Sequence, residues 1–282
     1  MKTFTPSDVT TAQMHGYLLN AIAPRPIAFV STVDDEGNVN LSPYSCFNFF
    51  GANPPILVFS PTRRVRDNTI KHTLENILQT KECVVNIVPY TIVEQMSLSS
   101  TEYDKGVNEF IKSGLTEVPS IDVQPPRVME SPVQFECKLQ QVIEMGQEGG
   151  AGNLVICEVI RIHADENILN ENGMIEGTKL DLMGRMGGNY YVRASGDALM
   201  SIEKPVRKKG IGIDQLPLHI VESEVLTGNQ LGKLANIEAI PTEEALNHID
   251  VPMMDSREDN HRLAGQLLDK GMVEEAWKVL LS

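Results

Sequence analysis

The fold of this chain is decided by a stretch that reads PRPIAFVSTVDDEGNVNLSPYSCFNFF over residues 24–50 and continues to residue 76. Two apolar runs, residues 27–33 and 39–41, flank the acidic, glycine-containing segment DDEGN, which predicts two antiparallel strands joined by a hairpin turn. A third apolar run at residues 56–59 follows two prolines and predicts a short buried strand. Residues 69–80 then carry apolar side chains at helical spacing. The stretch therefore predicts strands that lead directly into a helix.

Strand patterns also predominate further along the chain. Residues 83–88 and the longer runs 132–145 and 153–163 predict strands, and the glycine-rich residues 146–152 connect the last two. Residues 91–99 predict a short helix. Many strands with one or two helices favour a closed antiparallel barrel over a wound parallel sheet.

The pattern changes near residue 200, where residues 204–210 form a basic, proline-containing linker. Three runs beyond it predict helices: residues 229–238, 242–249 and 256–281. Gly271 is the expected break within the last run, which predicts a helical hairpin. We therefore expect two domains, residues 1–200 and a helical extension at 201–282. Because the extension has few apolar residues, we expect it to pack on the barrel or on a partner subunit.

Composition excludes several classes of function. The chain has 282 residues, with 24 Lys and Arg against 38 Asp and Glu, and its formal net charge of −14 repels nucleic acid and anionic membranes. No apolar run approaches the roughly 20 residues that span a bilayer. The first residues contain no apolar signal core, so export is not expected. We therefore expect a cytoplasmic protein that binds neither nucleic acid nor membrane.

Cysteines and histidines show no pattern of metal ligation. The cysteines, Cys46, Cys83, Cys137 and Cys157, are widely spaced among apolar or strand-forming residues and include no C-x-x-C pair. We expect them to be buried free thiols in a reducing compartment. The six histidines lack ligand spacing, so we expect no metal site.

A cluster of cations lies between the strand at residues 56–59 and the following helix. The segment SPTRRVRDNTIKHT, residues 60–73, contains three arginines and a lysine in an otherwise acidic chain. A helix N-terminus favours phosphate, arginine adds bidentate hydrogen bonds and Lys71 adds a point charge. Composition alone supports two interpretations equally: a phosphate site, or a solvated basic loop that pairs with surface carboxylates.

The segment NLSPYSCFN, residues 40–48, combines polar and aromatic side chains. Together with the cationic cluster it is a plausible cradle for a flat aromatic ligand that carries a phosphate. The other interpretation makes Tyr44 and Phe47 core aromatics and Ser42 and Ser45 ordinary strand residues. For Phe47, the core position is favoured.

Three segments resemble the patterns of a known family. Residues 40–48 resemble NLAPFSFFN, residues 71–77 resemble a Lys-Asp-Thr helix start followed by Asn-Ile, and residues 185–191 resemble Arg-x-Gly-Gly-x-x-Tyr. Over residues 15–195 the chain is similar to the flavin reductase-like family of FMN-binding split barrels, which includes reductase components of two-component monooxygenases. His72 stands where the family pattern has an aspartate.

The resemblance implies an antiparallel split β-barrel that forms a homodimer, with FMN at or near the subunit interface. It implies that residues 40–48 lie along the isoalloxazine edge. It also implies that Arg185 reaches the flavin or the nicotinamide side of the pocket, while Arg25 contacts either the cofactor phosphate or a carboxylate. The cofactor-binding residues expected on this basis are Ser42, Tyr44, Ser45, Cys46, Phe47, Asn48, Ser60, Pro61, Thr62, Arg63, Lys71, Thr73 and Arg185.

We therefore expect an FMN-dependent oxidoreductase. NAD(P)H is the expected electron donor, and reduced flavin or electrons pass to an acceptor such as a monooxygenase. No catalytic side chain is named, because hydride transfer is the chemistry of the cofactor. The alternative is a flavin-binding carrier or redox-sensing module without reductase turnover, whose helical extension docks a partner.

Overall fold

The computed structural model describes residues 1–206, 208–242 and 244–282. The chain divides into two compact units, Met1–Met200 and Ser201–Ser282. The first unit is mainly β and the second is helical. Among the described residues, no helix is both long enough and apolar enough to cross a membrane.

Antiparallel strands dominate the first unit. In chain order they are β1 (Ala28–Val33), β2 (Val39–Tyr44), β3 (Phe47–Ala52), β4 (Pro55–Phe59), β5 (Glu82–Ile87), β6 (Glu117–Val118), β7 (Arg127–Val128), β8 (Val133–Glu144), β9 (Asn153–Ala164), β10 (Leu182–Arg185) and β11 (Tyr191–Ala194). Within the described residues, a seven-stranded sheet has the order β2-β1-β5-β8-β9-β4-β3, and β6–β7 and β10–β11 form two small ribbons. The mainly β antiparallel fold is thus confirmed.

The two edges of the large sheet are consecutive in the chain. Strands β2 and β3 are separated only by Ser45 and Cys46, and each pairs with a different neighbour. Residues 40–48 therefore belong to two strands joined by a turn. In the described part of the chain no ladder joins β2 to β3, so the ladder is split there and the expectation of a closed barrel was wrong.

The sheet curls around one apolar core. Side chains from β1, β4, β5, β8 and β9 belong to a single buried cluster. Strand β1 is buried along its whole length, because its alternate residues point to opposite faces and both faces are covered by a hydrophobic cluster. Val30 contributes to the barrel core, whereas Phe29 contributes to a second cluster with Met96 and Phe110. The second cluster anchors helical segments that border the site described below.

The helices of the first unit are α1 (Thr11–Ala21), α2 (His72–Thr80), α3 (Val93–Leu98) and α4 (Glu109–Ser113). Helix α1 was not predicted, because it has no buried residue and hence no apolar stripe. Helix α2 begins three residues later than predicted, since Asp67 Oδ1 accepts a hydrogen bond from Thr69 N at 3.1 Å and holds a turn there. Asn68 in that turn has a φ of 59°.

The second unit has a hydrophobic core of its own. Its helices are α5 (Leu218–Val221), α6 (Gly228–Ala235), α7 (Arg257–Asp269) and α8 (Val273–Leu281). Leu234, Leu268 and Trp277 are almost completely buried in one cluster. The apolar residues of the extension, which we expected to be few, are therefore enough to form this core. The helical hairpin is confirmed, and its break lies at Gly271, which has a φ of 79°.

One expected helix, at residues 242–249, does not form: residues 244–248 are turns, and Glu243 lies outside the described residues. Asn247 and His248 are poor helix formers, and Leu246 is the only buried residue among those described in this run. In the linker at residues 204–210, Arg207 also lies outside the described residues.

Three of the four cysteines behave as expected. Cys83, Cys137 and Cys157 are buried free thiols, and the Sγ atoms of Cys83 and Cys157 are 3.7 Å apart. Cys46 is exposed, which corrects the expectation of burial. Its position in the turn between β2 and β3 explains the exposure, because turn residues lie at the surface.

Candidate anion site beside helix α2

Buried hydrogen bonds form one wall of a cavity at the start of α2. Glu109 accepts hydrogen bonds from Asn40 Nδ2 at 3.0 Å and from Leu41 N at 2.9 Å, and Thr73 Oγ1 donates to Asn40 Oδ1 at 2.6 Å. All these residues are buried. We call Asn40, Thr73 and Glu109 the cavity floor. Burial raises the pKa of the Glu109 carboxyl above its ordinary value.

The bonds of the floor determine which polar atoms remain for a ligand. Because Thr73 donates its only hydroxyl proton to Asn40, its oxygen can act only as an acceptor toward the cavity. Tyr44 also lines the cavity and is 7% exposed. Its hydroxyl makes no hydrogen bond of normal geometry in the described chain, although the neighbouring Thr73 and Ser42 hydroxyls offset part of the rise in pKa that burial causes. A buried O–H donor without an acceptor indicates a place for a ligand oxygen or a water.

Three ion pairs meet at the mouth of the same cavity. Glu102 Oε1 lies 3.1 Å from Arg64 Nε and 3.5 Å from Lys71 Nζ, and Glu102 Oε2 lies 3.1 Å from Arg66 Nη2. We call Arg64, Lys71 and Glu102 the cavity rim. The hydrogen bond from Arg64, reinforced by the charge of Lys71, lowers the pKa of the Glu102 carboxyl.

The rim contains features of both interpretations of the cationic segment. Its cations do pair with a surface carboxylate, as a solvated basic loop would. The Glu102 side chain is however 43% exposed, whereas Arg64 is 16% exposed and also donates to Ile70 O at 2.7 Å. Water therefore reaches this carboxylate, and a phosphate in its place would offer Arg64 and Lys71 more acceptor oxygens.

The floor and the rim enclose a cavity of about 30 Å³. Since one water needs roughly 10–15 Å³ of such space, the cavity holds a small group and not an aromatic ring. Its remaining lining residues are His72 and several that carry hydroxyl groups: Ser42, Ser99, Ser100, Thr101 and Tyr103.

A second cavity of about 240 Å³ adjoins the first and shares Arg64, Lys71 and Glu102 with it. Its other lining residues are His15, Thr62, Arg63, Val65, Arg66 and Gly150. Helix α1 and the β8–β9 connector thus line the second cavity, whereas neither of them lines the first.

The cationic segment is held by the β8–β9 connector. Arg63 N donates to Ala151 O at 2.9 Å, and Gly150 N donates to Arg63 O at 3.0 Å. A side chain at Gly149 would meet the carbonyl oxygens of Arg64 and Val65 at 3.0 Å, so any larger residue would have to displace that backbone. The backbone that carries the arginines is therefore positioned before any ligand binds.

Some of the expected site residues line these cavities. Ser42, Tyr44, Lys71 and Thr73 line the first, and Thr62, Arg63 and Lys71 line the second. The β2–β3 turn and strand β3 contain a separate group, which lies outside both cavities: Ser45, Cys46, Phe47 and Asn48. Ser60 links the two groups, because its N–H donates to Cys46 O at 2.9 Å.

The remaining expected residues have structural partners. Pro61 is buried, and its carbonyl oxygen accepts a hydrogen bond from Asn153 Nδ2 at 2.8 Å. Phe47 packs against the barrel core, as the core interpretation predicts. Arg185 lies outside both cavities: its Nη1 donates to Tyr190 O at 3.0 Å, and its guanidinium lies 4.5 Å from the Tyr191 ring centre.

Among the residues that the structure describes, Arg25 forms no ion pair with a carboxylate, which corrects one of its two expected roles. The buried guanidinium donates to the carbonyl oxygens of Leu19, Ile22 and Met186 at 2.5, 2.7 and 3.0 Å. Its Nε lies 3.3 Å from Ser45 Oγ. Arg25 therefore ties the end of α1 to the segment after β10 and supports the β2–β3 turn.

Arg64 and His72 lie in the cationic segment but were not among the expected binding residues. Sequence reasoning missed the other residues of the first cavity altogether: Ser99, Ser100, Thr101, Glu102 and Glu109. A local signal exists for one set, because the run SSTE at residues 99–102 places hydroxyl groups beside a carboxylate just after a helix. Nothing local distinguishes Glu109, whose partners Asn40 and Leu41 precede it by 69 and 68 residues.

Comparison with known proteins identifies the family. The family model of the flavin reductase like domain matches residues 21–181. An uncharacterized protein of Aquifex aeolicus is 38% identical over 189 residues, which cover 67% of this chain and 94% of that protein.

Two solved structures are similar to this chain. Nitrilotriacetate monooxygenase component B from Bacillus cereus is 29% identical with a TM-score of 0.66, and the match covers 72% of this chain and 98% of that one. The 2-nitrobenzoate 2-nitroreductase NbaA of Pseudomonas fluorescens is 27% identical with a TM-score of 0.66, and the match covers 75% and 100%. The chain therefore belongs to the flavin reductase-like family and has its split-barrel fold, followed by a helical C-terminal segment.

Proposed function

We propose that this protein is an FMN-binding, NAD(P)H-dependent flavin reductase that passes reduced flavin or electrons to an acceptor. The observation that carries the proposal is the anion site at α2 in a chain of this family. In a protein with a net charge of −14, Arg64 and Lys71 meet beside an unpartnered buried donor, the Tyr44 hydroxyl. These groups fit a phosphomonoester, which presents several acceptor oxygens.

In this proposal the principal residues of the two cavities have distinct roles. Lys71 and Arg64 neutralise the phosphate of FMN, and Tyr44 donates to one of its oxygens. Thr73 is a positioning residue, because its proton is used by Asn40. The Asn40–Glu109 bond in turn holds Asn40. Thr62 and Arg63 bind from the side of the second cavity.

The ring-binding residues in this proposal are Ser45, Cys46, Asn48 and Arg185, and Phe47 supports them from the barrel core. The Ser60–Cys46 hydrogen bond supports this, because it joins the β2–β3 turn to the segment that carries the cations. Ser60 and Pro61 thus position the backbone between the phosphate and the ring. When bound, the flavin supplies the hydride chemistry. The chain's own residues bind and orient it.

A homodimer is the proposed assembly. Phe49 and Phe50 on the edge strand β3 are each 70% exposed. Large aromatic side chains next to an unpaired strand edge favour association with another chain. The cavities of about 30 and 240 Å³ are also smaller than the roughly 300–1,000 Å³ of most ligand pockets. A second subunit over β3 would enclose the ring.

The acceptor is proposed from the relatives. One similar structure is by name a monooxygenase component, and another is by name a nitroreductase. A monooxygenase that uses reduced flavin is therefore a suitable partner for this chain.

An absorbance titration tests the function. We expect saturable binding of FMN to the purified protein, followed by bleaching of the visible flavin absorbance when NADH or NADPH is added without oxygen. Binding without bleaching by either nucleotide would replace the reductase with a flavin carrier or redox sensor. A protein that binds no FMN at any concentration tested would overturn both functions.

A further inference from the structure

Two histidines lie close together inside the helical unit, and the proposed function uses neither of them. His261 on α7 is 5% exposed, and the half-buried His219 belongs to α5. Their ring centres are 6.1 Å apart. The His219 Nε2 atom lies 3.3 Å from the carbonyl oxygen of Leu280 on α8. The pair therefore joins three helices of this unit.

The hydrogen bonds of Ser223 determine where the proton of His261 is. Ser223 Oγ accepts hydrogen bonds from Val225 N at 3.3 Å and Leu226 N at 3.2 Å, and it lies 2.8 Å from His261 Nδ1. A serine hydroxyl has two acceptor positions and one proton. Since both acceptor positions are occupied, Ser223 donates its proton to Nδ1. His261 is therefore neutral and carries its own proton on Nε2.

A second proton on the His261 ring has no acceptor in this arrangement. It would be added to Nδ1 and would face the Ser223 oxygen, whose acceptor positions are already used. The Nε2 atom is buried and has no hydrogen-bond partner within the described chain. To accept the new proton, Ser223 has to release a backbone N–H, which opens the turn between α5 and α6.

The charges around His261 also oppose its protonation. Burial, followed by the charges of His219 on α5 and Arg257 on α7, lowers the pKa of the His261 imidazole. In the part of the chain that the structure describes, no carboxylate forms an ion pair with either imidazole of the unit. Glu222 and Glu224 in the α5–α6 turn are exposed. Protonation of His261 thus places a charge in the unit without a counter-ion.

We propose that His261 and Ser223 form an acid-sensitive switch in the helical unit: the neutral imidazole holds the α5–α6 turn on α7, and protonation releases the turn. Ile220 and Leu226, on the two sides of this turn, are buried in the core of the unit, so its release exposes apolar surface. The switch is independent of the flavin chemistry proposed above.

The sign of the pH dependence follows from the lowered pKa of His261. The contribution of the switch to stability is fully present above the ordinary histidine pKa of about 6.5 and is lost as pH falls through the lowered value. Acid therefore weakens the helical unit in the range where histidine titrates.

Urea unfolding of the full-length protein, followed by the fluorescence of Trp277, tests the switch. The single tryptophan lies in the helical unit and reports on it directly. We expect the equilibrium constant for unfolding to rise by up to about tenfold between about pH 7.5 and about pH 5.5, because the unfolded chain binds one more proton.

The variant is His261→Gln, which keeps a polar side chain but does not titrate. The control is His248→Gln, at an exposed position of the same unit. We expect the pH dependence of unfolding to be largely lost in His261→Gln and retained in His248→Gln. An unmodified protein without this dependence would overturn the switch, and so would equal dependence in the two variants.

NMR titration of the imidazole groups in the unmodified protein gives a second readout, which stands even if His261→Gln does not fold. We expect His261 to titrate at a lower pH than the exposed His248. Ser223→Ala removes the donor to Nδ1 and should move the His261 midpoint upward. A His261 midpoint at or above that of His248, or one that Ser223→Ala leaves unchanged, would overturn the switch.

Discussion

The floor and the rim of the first cavity each contain a glutamate, but the two carboxylates are held in opposite ways. Glu109 in the floor is 4% exposed and accepts hydrogen bonds from neutral groups, and burial raises its pKa. Glu102 in the rim is exposed to water and pairs with cations, which lower its pKa. The same residue type therefore has a structural position and an exchangeable position within one cavity.

The difference follows from solvation. Donors at the floor cannot turn to water when Glu109 is lost, so its bonds are required by the fold. At the rim, Glu102 is in contact with water, so a ligand with acceptor oxygens can take its place beside Arg64 and Lys71. In the proposed site, the floor therefore holds the fold in place and the rim carries the groups that a ligand would contact.

The largest expected effect is on the floor. Glu109→Ala leaves Asn40 Nδ2 and the Leu41 N–H buried without acceptors, at about 1–3 kcal/mol each. We expect the free energy of unfolding of the barrel unit to fall by about 3 kcal/mol. Urea unfolding followed by far-ultraviolet circular dichroism measures this change. Tryptophan fluorescence is unsuitable, because the single tryptophan, Trp277, lies in the helical unit and not in the barrel unit.

The matched control is Glu171→Ala, at an exposed position, which should change the free energy of unfolding by no more than about 0.5 kcal/mol. A Glu109→Ala loss as small as that of the control would mean that floor and rim do not differ.

The second effect is on the rim. Lys71→Ala removes a charge-assisted bond to phosphate, worth about 1.5–3 kcal/mol. We expect FMN affinity to fall about tenfold to hundredfold, as measured by isothermal titration calorimetry. Lys138→Ala, at an exposed position on β8, controls for the loss of one positive charge and should have little effect. An affinity that is equal in the two variants would remove Lys71 from the site.

A smaller change in FMN affinity, in the opposite direction, is expected when the rim carboxylate Glu102 is replaced. Glu102→Gln keeps the shape of the side chain but removes the charge that competes with phosphate for Arg64 and Lys71. We expect FMN to bind about three- to tenfold more tightly at low salt, with a smaller gain at high salt because screening weakens exposed charges.

Glu258→Gln in the helical unit, another exposed glutamate with an arginine partner, is the control and should leave FMN affinity unchanged. Weaker FMN binding by Glu102→Gln would show that Glu102 supports the ligand rather than competing with it.

The smallest effect is the pH dependence of the two carboxyls. The lowered pKa of Glu102 means that its stabilising pairing is present above the ordinary glutamate pKa of about 4.3 and is lost as pH falls through the lowered value. The raised pKa of Glu109 has the reverse sign: its contribution is most favourable below about 4.3 and declines as pH rises through the raised value.

Carbon-detected NMR of the glutamate carboxyls measures both titrations, with assignments taken from Glu102→Gln and Glu109→Ala. We expect the two midpoints on opposite sides of the ordinary value. Two midpoints on the same side would contradict the difference between floor and rim.

Much of the fold was predictable because its signals are local. The hairpin of β1 and β2, the long strands β8 and β9, and the hairpin of α7 and α8 all follow from alternation, helical spacing or a glycine break. Helix α1 was not predictable in this way, since it buries no side chain and shows no periodic pattern.

The site was predictable only in part. Lys71, Thr73 and the arginines lie in one contiguous segment whose charge contrasts with the rest of the chain. Their partners are distant in sequence, for Glu102 follows Arg64 by 38 residues and Glu109 follows Asn40 by 69. Arg25 illustrates the same difficulty, because a buried guanidinium that binds backbone carbonyls is indistinguishable in sequence from one that binds phosphate.

Local pattern was thus enough to establish a β-rich unit, a helical C-terminal segment and a cationic junction at the start of α2, because periodicity and charge belong to neighbouring residues. The split between β2 and β3 and the opposite environments of Glu102 and Glu109 required the folded chain. Burial and pairing arise when distant segments meet, and they determine whether a carboxylate supports the fold or can be exchanged for a ligand.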